Sequence, residues 1–132
     1  MPISYSIDPA RGLVTLTYTG TITDRDLFDT FDRLYRDPGH RVGMSELSDL
    51  REAESVQVTA KGLQDLALRT ARQLDPAGKT WRVAVVAPRD VVFGLARMYE
   101  LLREGSPEQV MVFRDLAAAE QWLLGSGDRS SP

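Results

Sequence analysis

Apolar and polar residues alternate along the first part of the chain, as they do in strands that bury one face. The alternation covers residues 3–7, and it returns over residues 14–18 after the turn sequence DPARG at 8–12. Two such runs separated by a short turn predict an N-terminal β-hairpin.

Four later segments carry apolar residues at the spacing of an amphipathic helix. Each of them begins at a residue type that commonly opens a helix, because its side chain or ring suits the first turn. The predicted helix starts are, in order, Thr23, Thr59, Pro88 or Asp90, and Asp115. Turn-forming sequences at 37–39, 75–79 and 105–107 end the first three helices.

Three segments between these helices are predicted strands. Residues 81–87 form the clearest buried strand, because apolar side chains follow one another there, and residues 110–113 form a short one. Residues 43–52 read GMSELSDLRE, and their position requires a strand although polar residues interrupt the apolar ones. The alternation of strands and helices requires crossover connections. We therefore predict an α/β fold, in which an N-terminal hairpin and then parallel strands form a mixed sheet covered by about four helices.

The two sides of the third helix receive different predictions. The stripe predicted to face the core consists of Val91, Leu95, Met98 and Leu102. Phe93 falls on the other side, with charged residues at positions 97, 100 and 104. An exposed aromatic side chain close to a loop that follows a strand indicates a contact surface, unless a neighbouring loop covers it.

The composition is that of an ordinary globular protein, with 42% apolar and 27% charged residues in a chain of 132. We expect a single domain over residues 1–124 and a disordered tail over residues 125–132. No apolar run is long enough to span a membrane, and the first residues lack the pattern of a signal peptide. The absence of cysteine excludes disulfides and thiolate chemistry, and the cytoplasm is the expected location.

Neither the net charge nor the titratable residues indicate a particular chemistry. A net charge of -3, with basic residues scattered along the chain, gives no reason to expect nucleic-acid binding. His40 is the sole histidine and lies in a predicted loop, so neither a catalytic triad nor a metal site is indicated. The aspartates between residues 24 and 32 are spread around the first helix. We therefore expect no enzymatic activity, no metal and no cofactor.

Two other places in the chain are candidates for an ionic site. Arg89 and Asp90 lie where a strand ends and a helix begins, so free backbone N–H groups there favour an anion. The loop has no glycine and matches no phosphate-binding motif, and the simpler interpretation is that Asp90 caps the helix while Arg89 is solvated. Glu46 and Asp49 lie on one predicted strand as a candidate acid and base pair, yet the sequence indicates no pocket around them.

A family resemblance lies mainly in the C-terminal part of the chain. It consists of the strand and helix WRVAVVAPRDVVFGLARMYELL, the following GSPEQVMVFRDLAAAEQWL and, more weakly, DLRE at 49–52. These sequences resemble the SpoIIAA-like family of bacterial proteins, a branch of the STAS fold that is named after sulfate transporters and anti-sigma-factor antagonists. The resemblance implies a mixed sheet of four or five strands with helices packed to one side. It also implies relatives that bind apolar ligands in the CRAL-TRIO manner.

The antagonist proteins of this fold carry an Asp-Ser-Ser-Gly-Leu motif at the start of their second helix, where a partner kinase phosphorylates a serine. The matching residues here are Thr59, Ala60, Lys61, Gly62 and Leu63. Gly62 and Leu63 agree with the motif, but Lys61 occupies the phosphoacceptor position. The resemblance therefore implies that the serine switch is absent, and Thr59 is interpreted as a helix cap rather than as an alternative phosphoacceptor.

Our functional hypothesis is a non-enzymatic regulatory or scaffold module that docks another protein or a second copy of itself. The residues expected to make the contact are Arg51, Thr59, Lys61, Arg89, Asp90 and Phe93. The alternative is a carrier of a small apolar molecule or lipid, held between helices and sheet near Phe28, Met98 and Tyr99. Those three side chains are otherwise ordinary core residues.

Overall fold

The computed structural model describes residues 2–73 and 78–124. The strands are β1 (Ile3–Asp8), β2 (Leu13–Thr23), β3 (Ser45–Gln57), β4 (Trp81–Val86) and β5 (Glu108–Phe113). The helices are α1 (Asp24–Tyr35), α2 (Ala60–Ala71), α3 (Asp90–Leu102) and α4 (Leu116–Leu124). All four predicted helix starts are confirmed to within one residue. The tail predicted for residues 125–132 lies outside the described residues, as does most of the turn predicted at 75–79.

The described strands form one sheet in the order β1-β2-β3-β4-β5. β1 and β2 are antiparallel, and every later pair of neighbours is parallel. The predicted α/β class, with an N-terminal hairpin followed by parallel strands, is therefore confirmed. α1, α2 and α3 pack on one face of the sheet, whereas α4 packs on the other face around Ala119 and Trp122. This fourth helix departs from the one-sided packing that the resemblance implied.

β3 lies at the centre of the sheet, and its position explains its unusual sequence. The strand predicted at 43–52 is confirmed and runs further, from Ser45 to Gln57. Its side chains alternate between the two faces of the sheet. Leu47 packs against the α4 side, whereas Glu46 and Ser48 are buried on the face covered by α1 to α3. The polar residues that interrupt the apolar pattern of this strand, Glu46 and Ser48, are thus buried between the sheet and the helices.

The core stripe predicted for α3 is wrong at Val91, Met98 and Leu102, because the helix is rotated by about one residue position, whereas its fourth member, Leu95, is half-buried and faces the interior. Val91, Met98 and Leu102 are exposed by 75%, 40% and 40%. The face turned to the sheet instead carries Val92, Ala96, Tyr99 and Arg103. Both stripes have the same helical spacing, so periodicity alone does not distinguish them. The observed rotation lets Tyr99 and Arg103 reach a buried carboxylate on β5.

The N-termini of α1 and α2 are joined by hydrogen bonds between Asp24 and Thr59. The Asp24 carboxylate accepts from the Thr59 backbone N–H at 2.9 Å and from the Thr59 hydroxyl at 2.6 Å. The same hydroxyl accepts from the Gly62 N–H at 2.9 Å, which caps α2. A Cβ on Gly62 would lie 2.1 Å from Asp24 Oδ1, so a side chain at this position would displace the carboxylate.

Gly62→Ala should therefore destabilise the protein by about 1 kcal/mol, because losing the Asp24 hydrogen bonds costs more than alanine gains in helix propensity. Gly94→Ala in α3 is the matched control. No atom lies within 4 Å of a Cβ added there, and the substitution should stabilise the protein by about 0.5–1 kcal/mol. Chemical denaturation measures both free energies of unfolding, and equal stabilisation by the two substitutions would contradict the close contact.

Candidate functional site

A cavity of about 90 Å³ lies between the sheet and helices α1, α2 and α3. This volume is well above the roughly 10–15 Å³ that one water molecule needs. Apolar side chains form most of its wall, among them Ile22, Leu50, Leu63, Leu66, Val92 and Leu95. The polar residues of the wall are Tyr18, Glu46, Ser48, Tyr99 and Glu108. A mostly apolar wall with a few polar groups is the usual composition of a small-molecule site.

The carboxyl groups and a group of apolar residues occupy opposite ends of the cavity. Glu46 is the second residue of β3 and pairs with Val83 in β4, and Glu108 is the first residue of β5. Both carboxyls therefore belong to the amino ends of the parallel strands. Val56, near the carboxyl end of β3, and Leu95, in the first half of α3, line the other end. A molecule in the cavity would meet a polar end and an apolar end.

Glu108 is buried and paired with groups on α3. The Arg103 Nε donates to Glu108 Oε1 at 2.8 Å, and the Tyr99 hydroxyl donates to the same oxygen at 2.9 Å. The Arg103 and Glu108 side chains are only 7% and 3% exposed. Burial raises the pKa of Glu108, and Arg103 opposes this rise by stabilising the charged form. The ion pair fixes α3 on β5, because removing either partner would leave an uncompensated charge in the interior.

Glu46 is the exception among the buried polar groups of the cavity. It is 3% exposed, and within the described residues its carboxyl makes no hydrogen bond or ion pair. Burial raises the pKa of Glu46 to about 8, and the charge of nearby Glu108 contributes to the rise. The carboxyl is therefore mostly protonated at neutral pH. A buried carboxyl without a protein partner is costly, and such a group calls for a binding or chemical role.

The hydroxyl groups around the cavity form hydrogen bonds with one another. The Tyr18 hydroxyl lies 3.2 Å from Ser48 Oγ, and the hydroxyls of Tyr35 and Tyr99 lie 3.4 and 3.2 Å from Thr70 Oγ1. Burial raises the pKa of all three tyrosines, so the phenols stay protonated. Ser48 thus has a phenol rather than a base beside it, which is not the arrangement of an activated nucleophile.

Arg51 and Arg89, two of the residues predicted to contact a partner, line the same shallow surface depression. Arg51 is held by Asp49, with its Nε 2.9 Å from Oδ1 and its Nη2 2.8 Å from Oδ2. The Arg89 Nη1 donates to the Glu54 carbonyl oxygen at 3.2 Å. The structure therefore brings these two guanidinium groups to one region of the surface.

Thr59 and Lys61 lie at the start of α2 and do not line that depression. The interpretation of Thr59 as a helix cap is confirmed, and its hydroxyl is also bound to Asp24. Lys61 is exposed, and its Nζ lies 3.3 Å from Asp65 Oδ2 one turn further along the helix. Of these four predicted contact residues, two thus line the depression and two lie at the start of α2.

For Phe93 the structure shows the alternative that a neighbouring segment covers the ring, and its role as a contact residue stays a prediction. Its ring is half-buried, packs against the main core and lies beneath the Arg114 guanidinium, 4.2 Å from the ring centroid. The same Arg114 pairs with Asp90 at 2.7 Å. Asp90 does not cap α3, since Arg89 occupies the N-cap position and makes no capping bond. The rotation of α3 explains the difference, because it turns Phe93 towards the segment that follows β5.

Of the three residues predicted to hold an apolar molecule, Tyr99 lines the cavity and the others do not. Phe28 lies beneath the Arg69 guanidinium at 4.4 Å, and Met98 is on the outer face of α3. The sequence indicated Glu46 as a candidate polar residue but not the cavity beside it. It gave no indication that Arg103 is buried and paired with Glu108. The sequence signal that could have revealed the site is the presence of an acidic residue, Glu46, in a strand that must be buried at the centre of the sheet.

Metal and membrane sites receive no support from the described part of the chain. Over residues 2–73 and 78–124, no group of three or more histidine or acidic side chains is arranged to hold a metal ion. Over the same ranges, no helix is long and apolar enough to span a membrane.

Glu46→Gln should change the dependence of stability on pH. The pKa of Glu46 is about 8 in the folded protein and near 4.5 in the unfolded chain, so the wild type loses stability as the pH rises through this window. Glutamine does not titrate, and the stability of the variant relative to the wild type should therefore rise by a few kcal/mol between these pH values. Denaturation near both ends of the window measures the difference. A constant difference would contradict the burial of an unpartnered carboxyl.

No protein-family model matches this sequence, and no curated protein is significantly similar to it. Among solved structures, the chain is similar to the crystal structure of an uncharacterised protein from the DUF3478 family, with a SpoIIAA-like fold, from Shewanella loihica PV-4. The two chains are 18% identical, the TM-score is 0.59, and the match covers 92% of this chain and 93% of that chain. At this identity the similarity concerns the fold alone. The fold expected from the resemblance is confirmed, and the chain has a SpoIIAA-like fold.

Proposed function

We propose that this protein is a non-enzymatic binding module that holds a small, mostly apolar molecule in the cavity between the sheet and α1 to α3. The observation that carries the proposal is the Glu46 carboxyl, which borders the cavity, is 3% exposed and has no partner within the described residues. A packing defect alone would be lined by apolar groups and would gain nothing from a carboxyl. A bound molecule with one polar group would supply the partner that Glu46 lacks.

The remaining geometry supports binding rather than catalysis. General acid and base chemistry needs a second group placed across the substrate. Glu108, the nearest carboxyl, is instead held by Arg103 and Tyr99. The Ser48 hydroxyl is occupied by Tyr18. One free polar group in an apolar cavity is what a ligand needs for orientation.

Ala96→Leu should abolish the binding of a neutral probe. Ala96 lines the cavity from α3, and the larger side chain would fill part of it. We expect 1-pentanol to raise the Tm of the wild type and to leave that of Ala96→Leu unchanged. Ala117→Leu, at an exposed position of α4, is the matched control and should respond like the wild type. A similar response from all three proteins would place pentanol outside the cavity and refute the proposal.

The same pair of variants serves to detect the natural ligand. Native mass spectrometry of protein purified from its own cells should show a retained small molecule in the wild type and in Ala117→Leu. The molecule should be lost from Ala96→Leu, because the leucine occupies its space. Retention of that molecule by Ala96→Leu would count against the cavity as its site.

A second candidate function is the docking of another protein, and the outer face of α3 favours it. Val91, Leu101 and Met98 are exposed by 75%, 58% and 40%, and neighbouring apolar side chains on a helix surface often mark an interface. Arg89 and Asp90, among the predicted contact residues, directly precede Val91 and would border this face. The partner that fits is a protein surface with an apolar centre and charges of both signs at its rim.

Leu101→Asp should abolish this docking without unfolding the protein, because the side chain is 58% exposed. Leu68→Asp is the control, since Leu68 is 65% exposed but lies on α2. Cross-linking in cells, followed by mass spectrometry, should recover one partner with the wild type and Leu68→Asp but not with Leu101→Asp. Sedimentation of the purified protein shows whether that partner is a second copy. Recovery of the partner by Leu101→Asp would remove this face from the interface.

A further inference from the structure

The charges around the polar end of the cavity do not balance when both carboxyls are ionised. Glu46 and Glu108 then contribute two negative charges, and Arg103 is the one basic side chain that the described residues place beside them. The other groups that face this end are uncharged. They are the hydroxyls of five residues on five elements, Tyr18 (β2), Ser48 (β3), Tyr35 (α1), Thr70 (α2) and Tyr99 (α3), and the indole of Trp81 on β4, which hydrogen-bonds to Glu108. Ionisation of Glu46 would leave one negative charge without a counter-charge.

The hydrogen bonds of the Arg103 guanidinium go to acceptors other than Glu46. Its Nε donates to Glu108 at 2.8 Å, and its Nη1 lies 3.5 Å from the Ala67 carbonyl oxygen. No described residue donates a hydrogen bond to the Glu46 carboxyl, and the nearby Glu108 carboxylate repels its ionised form. The position next to Glu46 therefore favours a group that is positively charged and donates hydrogen bonds.

We propose that the molecule held in the cavity is an apolar amine, whose ammonium group lies against the Glu46 carboxylate and whose hydrocarbon part points towards Val56 and Leu95. This inference rests on the proposed function of the cavity as a ligand site. An ammonium group brings the buried charges to two of each sign and donates the hydrogen bonds that Glu46 lacks. A carboxylate at the same position would add a second negative charge beside Glu108, with Arg103 as the one counter-charge among the described residues, and should be rejected.

Binding of an amine should release a proton. The free protein holds Glu46 protonated at neutral pH, since burial raises its pKa to about 8. The amine enters as an ammonium ion, so the ion pair requires the carboxylate, and the Glu46 proton leaves to solvent. The affinity for an amine should therefore increase as the pH rises towards about 8, whereas the affinity for an alcohol of the same length should stay constant.

Calorimetric titration of the full chain with three probes of equal length tests the inference: pentylamine, 1-pentanol and pentanoate. At neutral pH we expect pentylamine to bind about tenfold more tightly than 1-pentanol, and pentanoate to show no measurable binding. Titrations in two buffers with different heats of ionisation should report close to one proton released for each pentylamine bound.

Variants at Glu46 assign these effects to one side chain. Glu46→Gln should lower the affinity for pentylamine by about tenfold, abolish the proton release and leave 1-pentanol binding unchanged. Glu46→Asp retains the charge and should retain the proton release, which keeps the test available if the glutamine variant does not fold. Glu104→Gln, at an exposed position that follows α3, is the matched control and should bind pentylamine like the wild type.

The outcomes separate this inference from the function on which it rests. Equal affinities of the wild type for pentylamine and 1-pentanol would overturn the inference and leave the binding function standing. A preference for pentylamine that persists in Glu46→Gln would also overturn it, because the amine would then bind elsewhere. Failure of all three probes to bind would overturn both.

Discussion

Two carboxyl groups are buried at the amino ends of the parallel strands, and within the described residues one of them is paired and the other is not. The ion pair between Arg103 and Glu108 joins α3 to β5 in the orientation that also buries Val92. That orientation places Tyr99 at the cavity and leaves Val91 on the surface. The unpaired carboxyl of Glu46 then borders a space that is otherwise mostly apolar. The cavity and the exposed face of α3 are therefore both associated with this polar interior.

The features that the sequence predicts well are those set by residues close together in the chain. Thr23 and Asp26 form a capping box at the start of α1, and Thr59 bonds the N–H of Gly62 at the start of α2. Both signals act over three residues. The hairpin is equally local, because alternation and a short turn specify it. The parallel pairing of the later strands follows from the crossover connections that the alternating helices provide.

The candidate site is less accessible to sequence reasoning, because its groups meet only in the folded protein. Glu46 and Glu108 come from different strands, and within the described residues Glu46 has no partner that would reveal its burial. The rotation of α3 depends on the pairing of Arg103, a residue that a hydrophobic pattern assigns to the surface. The Phe93 ring is likewise covered by a residue distant in sequence, because the guanidinium of Arg114, which follows β5, lies over it.

The ionisation state of Glu46 in the free and the amine-bound protein tests the account most directly. Carbon-13 NMR of the glutamate side-chain carboxyls follows this residue alone, once its signal is assigned by comparison with a variant that lacks it. We predict that Glu46 titrates with a pKa of about 8 in the free protein, and that saturating pentylamine at neutral pH moves its signal to the position of a carboxylate. A signal that titrates in the ordinary range for glutamate, and that does not respond to the amine, would contradict it.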